Sequence, residues 1–304
     1  MSNSILETIK KNRSNLSEGS LLTYTSIINN LMKKNDIQDI NYFVSNYNDI
    51  LKLLDKVDSK KRKTILSAIV VLIENNDDNK KALKAYRSQM MNDSNDSKKD
   101  DKKQEMTNKQ SDNWMTYDEV KQVYNSLKSD ILHLFKKETL NKNELQQLQN
   151  FIILSMYILI PPRRLLDYTE MKIKNFDTEK DNYIDKDFKE LVFNRYKSSK
   201  FYEQQKIKIP IKLKNILKKW LKYNKNDYLF VDSKNNKLSP VKLNQRLNNI
   251  FGKNISVNML RHIYITDSGD VIPKNAPSLE QREKIAQDMG HDIKTQELYR
   301  KIKK

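Results

Sequence analysis

Apolar residues recur at a helical period over most of this chain, and the period changes once. Leu21, Tyr24, Ile28 and Leu31 fall on one face of a helix that Ser17 can cap. A second helical stretch runs through Tyr42 and Phe43 and, after a break, through Ile50, Leu53 and Leu54. A third starts near Ser59 and carries Ile65, Ile69, Leu72 and Ile73. Residues 92–112 contain a single apolar side chain. Such a segment cannot offset its ordering entropy by burial, so it predicts a flexible linker and a domain boundary.

Beyond the linker, Thr116 can cap a helix through Val120, Val123, Tyr124 and Leu127. A further helix from about Asn143 carries Leu145, Leu148 and Phe151 into the apolar run 151–160. Pro161-Pro162 ends it, because proline lacks the N–H and clashes with the preceding turn. From Leu191 to Pro210 the period becomes two. Leu191-Val192-Phe193 enters, Lys206-Ile207-Lys208-Ile209 leaves, and Tyr196 to Glu203 supplies the turn of a β-hairpin. Helical spacing then returns over 211–223 (Leu213, Ile216, Leu217 and Trp220 inward), over 239–250, opened by Ser239-Pro240, and over 256–266. Ser278-Leu279-Glu280-Gln281 fits a capping box, and Gly290 is suited to end that helix in the left-handed conformation. The expected fold is mainly α with a small antiparallel β-sheet. Its expected parts are a helical domain over 1–91, a linker over 92–112 and a second domain over 113–304.

Charge narrows the partner. The 304 residues hold 57 Lys plus Arg against 39 Asp plus Glu, a net +18. That excess points to a polyanion, either nucleic acid or an acidic membrane surface. Residues 201–250 alone carry twelve basic residues against three acids. Two basic stretches are candidates to track a phosphate backbone: Lys60, Lys61, Arg62 and Lys63 at the start of the third helix, and Lys212, Lys214, Lys218, Lys219 and Lys222 on the 211–223 helix. Each could equally be a solvated face opposite a core. There is no cysteine, which excludes disulfides, thiolate nucleophiles and cysteine-based zinc sites and fits a reducing compartment, cytoplasm or nucleus. The N-terminus has no apolar run of signal-peptide length, and the longest such run, 151–160, is far short of the roughly 20 residues a membrane span needs. A soluble protein with no membrane partner is expected.

Only ten of the 57 basic residues are arginine. A lysine-rich chain has most use for arginine where a planar fork is needed, as in bidentate phosphate contact. Pro161-Pro162-Arg163-Arg164 and Leu260-Arg261-His262 place three of the ten beside a hairpin lysine pair, a Gly290-His291 step and a late Tyr299. Separated arginines, a histidine, a lysine and a tyrosine suit attack by a phenol on a phosphodiester, with fixed cations stabilising the phosphorane.

These motifs resemble the catalytic domain of the tyrosine recombinases, the phage-integrase family, over residues 113–304. The helices of 1–91 resemble that family's core-binding domain. Arg164-Leu165-Leu166-Asp167, with Met171 following, matches the family's Arg-x-x-Glu/Asp box; Arg163 competes, but its spacing to Asp167 is wrong by one. Lys197-Ser198-Ser199-Lys200 occupies the family's lysine hairpin, with Lys197 the better match and Lys200 the alternative. Asn258-Met259-Leu260-Arg261-His262 matches the His/Lys-x-x-Arg box, except that Asn258 cannot carry a proton or a charge. Met289-Gly290-His291 matches Leu-Gly-His, and Tyr299 follows at eight residues where the family more often has nine.

The resemblance implies a two-domain clamp on double-stranded DNA and a site-specific recombinase or integrase. Tyr299 would form a 3′-phosphotyrosyl bond, with Arg164, Arg261 and His291 stabilising the charge and Lys197 protonating the 5′ oxygen. Asp167 would orient Arg164 or brace its helix. Asn258 would serve as a hydrogen-bond donor, and His262 in packing or capping more than in catalysis. No metal or other cofactor is implied. A homotetramer on two duplexes is, and an Asn- and Lys-rich chain suits a mobile element or virus. Three rivals stand beside it: a type-IB topoisomerase, a recombinase-like DNA-binding protein without activity, and a basic polyanion-binding scaffold.

Overall fold

The computed structural model describes residues 2–199, 203–267 and 278–302. It divides into two compact units, Met1–Lys103 and Gln104–Lys304.

The first unit is helical. Helix α1 (Ser2–Asn12) precedes α2 (Glu18–Lys34), whose Ser17 side chain accepts from the Ser20 N–H as the sequence predicts. Two short helices, α3 (Tyr42–Ser45) and α4 (Tyr47–Leu54), lead to α5 (Ser59–Ile73), capped by Asp58. The core gathers Ile5, Ile9, Ile28, Phe43, Ile50, Leu66, Ile69 and Tyr86. Burial of such side chains contributes roughly 1.5–3 kcal/mol each. The α1 face, with Ile5 and Ile9 fully buried, was not singled out by periodicity.

The expected linker over 92–112 is not without regular structure. Helix α6 runs from Lys80 to Lys103, and α7 (Asn108–Asn113) follows with Thr107 and Gln110 forming a capping box. The continuation of α6 rests on polar contacts that a count of apolar residues cannot register. Asp93 is buried and takes Arg62 Nε at 3.1 and 3.0 Å on its two oxygens. Gln89, one turn back, donates to it at 3.0 Å, and Lys63 Nζ reaches Ser94 Oγ at 3.1 Å. Burial raises the Asp93 pKa, but the Arg62 and Gln89 hydrogen bonds outweigh it and hold the carboxyl below its ordinary value.

The second unit packs helices around a small sheet. Helix α8 (Tyr117–Ile131) opens on the Thr116–Glu119 capping box, and α9 (Lys142–Ile158) on Asn141–Glu144. Both boxes tie two N–H groups that the first turn leaves without partners. The proline pair turns the chain into the short α10 (Leu165–Thr169). Strands β1 (Met171–Lys172), β2 (Asn182–Ile184), β3 (Glu190–Phe193) and β4 (Gln205–Lys208) follow in that spatial order. The β3–β4 hairpin has the predicted strands, with Leu191 opposite Ile207 and Phe193 opposite Gln205. The sheet is mixed, not antiparallel, because β1 pairs parallel to β2. Strands of two and three residues are too short to show a period of two.

Helices α11 (Ile211–Trp220), α12 (Pro240–Phe251), α13 (Val257–Asp267) and α14 (Leu279–Asp288) lie where the spacing places them, and a last helix, α15 (Ile293–Tyr299), ends on the late tyrosine. The core joins Phe151, Tyr157, Tyr168, Phe193, Trp220, Leu247 and Ile263. Among the described residues no helix is long and apolar enough to cross a membrane.

Candidate active site

The site is built on one turn. Helix α14 stops at Gly290, whose φ is +74°, and the chain re-enters helix at Asp292, which caps α15 by accepting from Thr295 N–H at 2.7 Å. A positive φ suits glycine because a side chain there would crowd the following carbonyl. Three consecutive carbonyls of this turn each accept from a different arginine. Arg163 Nη1 donates to the Asp288 oxygen at 3.0 Å, Arg261 Nη1 to Met289 at 3.0 Å and Arg164 Nη1 to Gly290 at 2.6 Å. The negative end of a helix thus holds two residues adjacent in sequence and a third from α13 against each other.

Arg261 is fully buried and sits at the centre. Its Nη1 also donates to the Pro162 carbonyl at 2.7 Å, and its Nη2 meets His291 Nδ1 at 2.6 Å. A guanidinium has no acceptor, so Nδ1 accepts and the imidazole proton resides on Nε2. Burial lowers the His291 pKa, and Arg261, Arg164 and Arg163 lower it further, to about 2. The imidazole is therefore neutral at physiological pH, a hydrogen-bond donor and not a cation.

Tyr299 closes the group from above. Its ring lies 4.7 Å from Arg261 Cζ and stacks on His291 with centroids 5.3 Å apart and planes 20° from parallel. His262, one residue past Arg261, holds the same residue by its backbone: its Nδ1 lies 2.7 Å from the Tyr299 carbonyl, and the two rings are 4.9 Å apart. Burial lowers the Arg261 pKa; the Tyr299 phenol beside it raises it, and Arg164 lowers it again.

Arg163 Nη2, Arg261 Nε and His291 Nε2 are buried N–H groups with no hydrogen-bond acceptor among the described residues. A buried donor left unpaired costs about 1–3 kcal/mol, more when charged. Unpaired donors of this kind suit an anionic ligand. His291 also lines a cleft of about 660 Å³ between β4 and the α14–α15 turn, with Gln205, Gln287 and Asp288 in its walls. Among the described residues no group of three or more histidines and carboxylates is placed to hold a metal ion.

The structure thus brings Arg164, Arg261, His291, Tyr299 and His262 together. The expected role of Asp167 needs correction. It pairs with Arg163, not Arg164, through Nε at 2.7 Å, and both partners are fully buried. A spacing of four places the two on one face of the α10 entry, whereas Arg164 is the residue before that helix and faces the turn. Arg163 is the member that sequence reasoning undervalued. Asn258 is exposed in the first turn of α13, outside the buried group. Lys197 is exposed in the β3–β4 turn, with no hydrogen bond or ion pair to a described residue. Lys200 lies outside the described residues.

The basic stretches divide. Arg62 is unsuited to a phosphate contact because Asp93 and the carbonyls of Asp55 and Val57 occupy its fork. Lys63 is half-buried against Ser94, Lys60 pairs with Asp101 at 3.0 Å and Lys61 is exposed. On α11, Lys212, Lys218 and Lys219 are exposed, as is Lys222 just beyond it; Lys219 lies over the Phe135 ring at 4.8 Å, and Lys214 donates to the Asp187 carbonyl.

Neither a family model nor a curated protein matches the sequence. Among solved structures, the crystal structure of XerA recombinase is similar to this chain, at 13% identity over 99% of this chain and 94% of that one, with a TM-score of 0.43.

Proposed function

We propose that this chain breaks and rejoins DNA strands through a covalent 3′-phosphotyrosyl intermediate, with Tyr299 as nucleophile, as a site-specific recombinase does. The observation that carries the reading is the stacking of Tyr299 on His291 and Arg261, beside buried N–H groups that lack acceptors among the described residues. Fixed donors that need no reorganisation are the largest single source of transition-state stabilisation for developing charge.

In this reading the Tyr299 oxygen attacks phosphorus as its proton leaves to water. The P–O5′ bond breaks, and the departing 5′ oxygen takes a proton from Lys197. Arg261 and Arg164 hold the non-bridging oxygens, and His291 donates from Nε2. Because that imidazole is neutral, it adds a directed hydrogen bond without a third full charge. Attack by a 5′ hydroxyl on the phosphotyrosyl bond reverses the step, so bond energy is conserved without ATP. His262 and Asn258 stand outside the reacting atoms, His262 as a support for the α15 terminus. Double-stranded DNA is the substrate, contacted by Lys60 and Lys61 of the first unit and by Lys212, Lys218, Lys219 and Lys222 of the second. Strand exchange between two duplexes requires four protomers.

The test is a pool of nicked duplexes of randomised sequence, in which loss of a short fragment traps the covalent step. Tyr299→Phe is expected to bind DNA as the parent does and to give no detergent-stable protein–DNA species. Adduct formation by Tyr299→Phe removes Tyr299 from the role. Binding without adduct in the parent leaves a DNA-binding protein without this activity, and relaxation of any supercoiled plasmid marks a topoisomerase instead.

A further inference from the structure

Arg163 lies next to the proposed phosphate clamp, and its guanidinium is engaged mainly by the protein itself. It is fully buried, and one guanidinium ties three separate elements. Nε binds Asp167 on α10, and Nη1 binds Gln205 Oε1 on β4 at 2.9 Å and the Asp288 carbonyl at the end of α14. Arg163 Cζ lies 4.0 Å from the centroid of the Phe193 ring on β3 and 5.3 Å from that of Tyr196 at the base of the hairpin turn. On the remaining side, a Cβ on Gly290 would fall 2.9 Å from Nη2. Gly290 is therefore needed twice, for its positive φ and for the space Arg163 occupies.

Two of these contacts, and Arg163 itself, are adjacent in sequence to a group the proposed reaction uses. Tyr196 precedes Lys197, Gly290 precedes His291, and Arg163 precedes Arg164. Burying a guanidinium costs several kcal/mol before its partners compensate, and an apolar side chain of equal volume would fill this space at less cost. Lysine could supply the charge but not a planar fork that reaches Asp167, Gln205 and Asp288 at once. What this arginine supplies over either alternative is a fixed relation between the hairpin and the Gly290-His291 turn.

We propose that Arg163 is a positioning residue that locks the lysine hairpin against the histidine turn and so sets where His291 Nε2 points. The inference rests on the reading of the site given above for its catalytic meaning, and on geometry alone for its structural claim.

Two variants and two readouts separate those claims. Arg163→Lys keeps the charge and loses the fork. Gln205→Leu cuts only the tie to β4, at a half-buried position, and keeps the Arg163–Asp167 pair. The chain has three histidines, so its imidazole ¹⁵N resonances can be assigned to His133, His262 and His291. Both variants are expected to displace the His291 ring signals while leaving those of His133 in place. In single-turnover reactions both should slow adduct formation, by roughly 10- to 100-fold, with DNA affinity unchanged, since a misplacement of about 1 Å costs on that order. His291 signals superimposable on the parent's in both variants, or an Arg163→Lys adduct rate within about twofold of the parent, would overturn the proposal. If Arg163→Lys does not fold, Gln205→Leu decides by the same two criteria. If the parent forms no adduct at all, the proposed reaction falls, and the His291 signals alone decide whether Arg163 positions the turn.

Discussion

Replacing Gly290 by alanine perturbs the site through a single methyl group, and Gly252 supplies the control. Both glycines have positive φ, +63° at Gly252 and +74° at Gly290. For an L-residue the left-handed region costs roughly 1–2 kcal/mol. A Cβ at Gly252 meets nothing within 4 Å, so Gly252→Ala should lose about that much and no more. A Cβ at Gly290 falls 2.9 Å from Arg163 Nη2 and 3.2 Å from Cζ. That guanidinium cannot swing aside without leaving Asp167, which would be buried and unpaired, at a cost of about 3–5 kcal/mol. Gly290→Ala should therefore lose about 4–7 kcal/mol, much of a domain's ordinary stability of about 5–15 kcal/mol. Both tryptophans, Trp114 and Trp220, belong to the second unit, so urea unfolding followed by their fluorescence reads that unit. The reasoning fails if the two alanine variants lose stability within about 0.5 kcal/mol of each other, a margin typical of independent sites.

Three further outcomes follow from the same contacts. His291 has a folded pKa of about 2 against an ordinary 6.5, so below pH 6.5 the unfolded chain binds a proton that the folded one refuses. Stability is full above that pH and falls as pH drops toward 2, by about 2 kcal/mol at pH 5. His291→Gln should remove that share of the slope between pH 7 and 5, and an unchanged slope in urea melts refutes it. Asp93→Asn should cost about 3–5 kcal/mol in the first unit, because Arg62 loses the charge that offsets its burial; hydrogen exchange should rise from residue 93 to Lys103, and protection equal to the parent's contradicts the role given to the pair. Lys61→Ala and Lys222→Ala should each flatten the salt dependence of DNA binding by about one unit of log–log slope if each contacts a phosphate, and a slope equal to the parent's removes that lysine from the interface.

Much of this architecture was legible because the residues concerned obey local rules. Ser17, Thr116, Ser239 and Ser278 cap helices where their side chains satisfy first-turn N–H groups, and Gly290 ends α14 with the backbone angle expected of it. The hairpin was readable from the apolar run Leu191–Phe193 and the alternation over Lys206–Ile209. What escaped were features carried by polar partners distant in sequence. The helix over 80–103 depends on Arg62, 31 residues from Asp93, and a segment poor in apolar residues gives no hint of that. The exchange of partners between Arg163 and Arg164 escaped for a different reason. Motif spacing selects Arg164, while the buried ion pair at a spacing of four selects Arg163. No helix was predicted over His291 to Tyr299, a short segment of mixed polarity, yet the Asp292 cap makes most of it a helix.

The central claim is that one phenol becomes esterified to phosphorus beside Arg261 and His291. Tryptic mass spectrometry of the trapped protein–DNA species tests it directly, after nuclease digestion to a nucleotide remnant. The account predicts a nucleotide on the peptide Thr295–Arg300, carried by Tyr299. A remnant on any other residue, or no covalent species from a protein that binds and bends the same DNA, contradicts it.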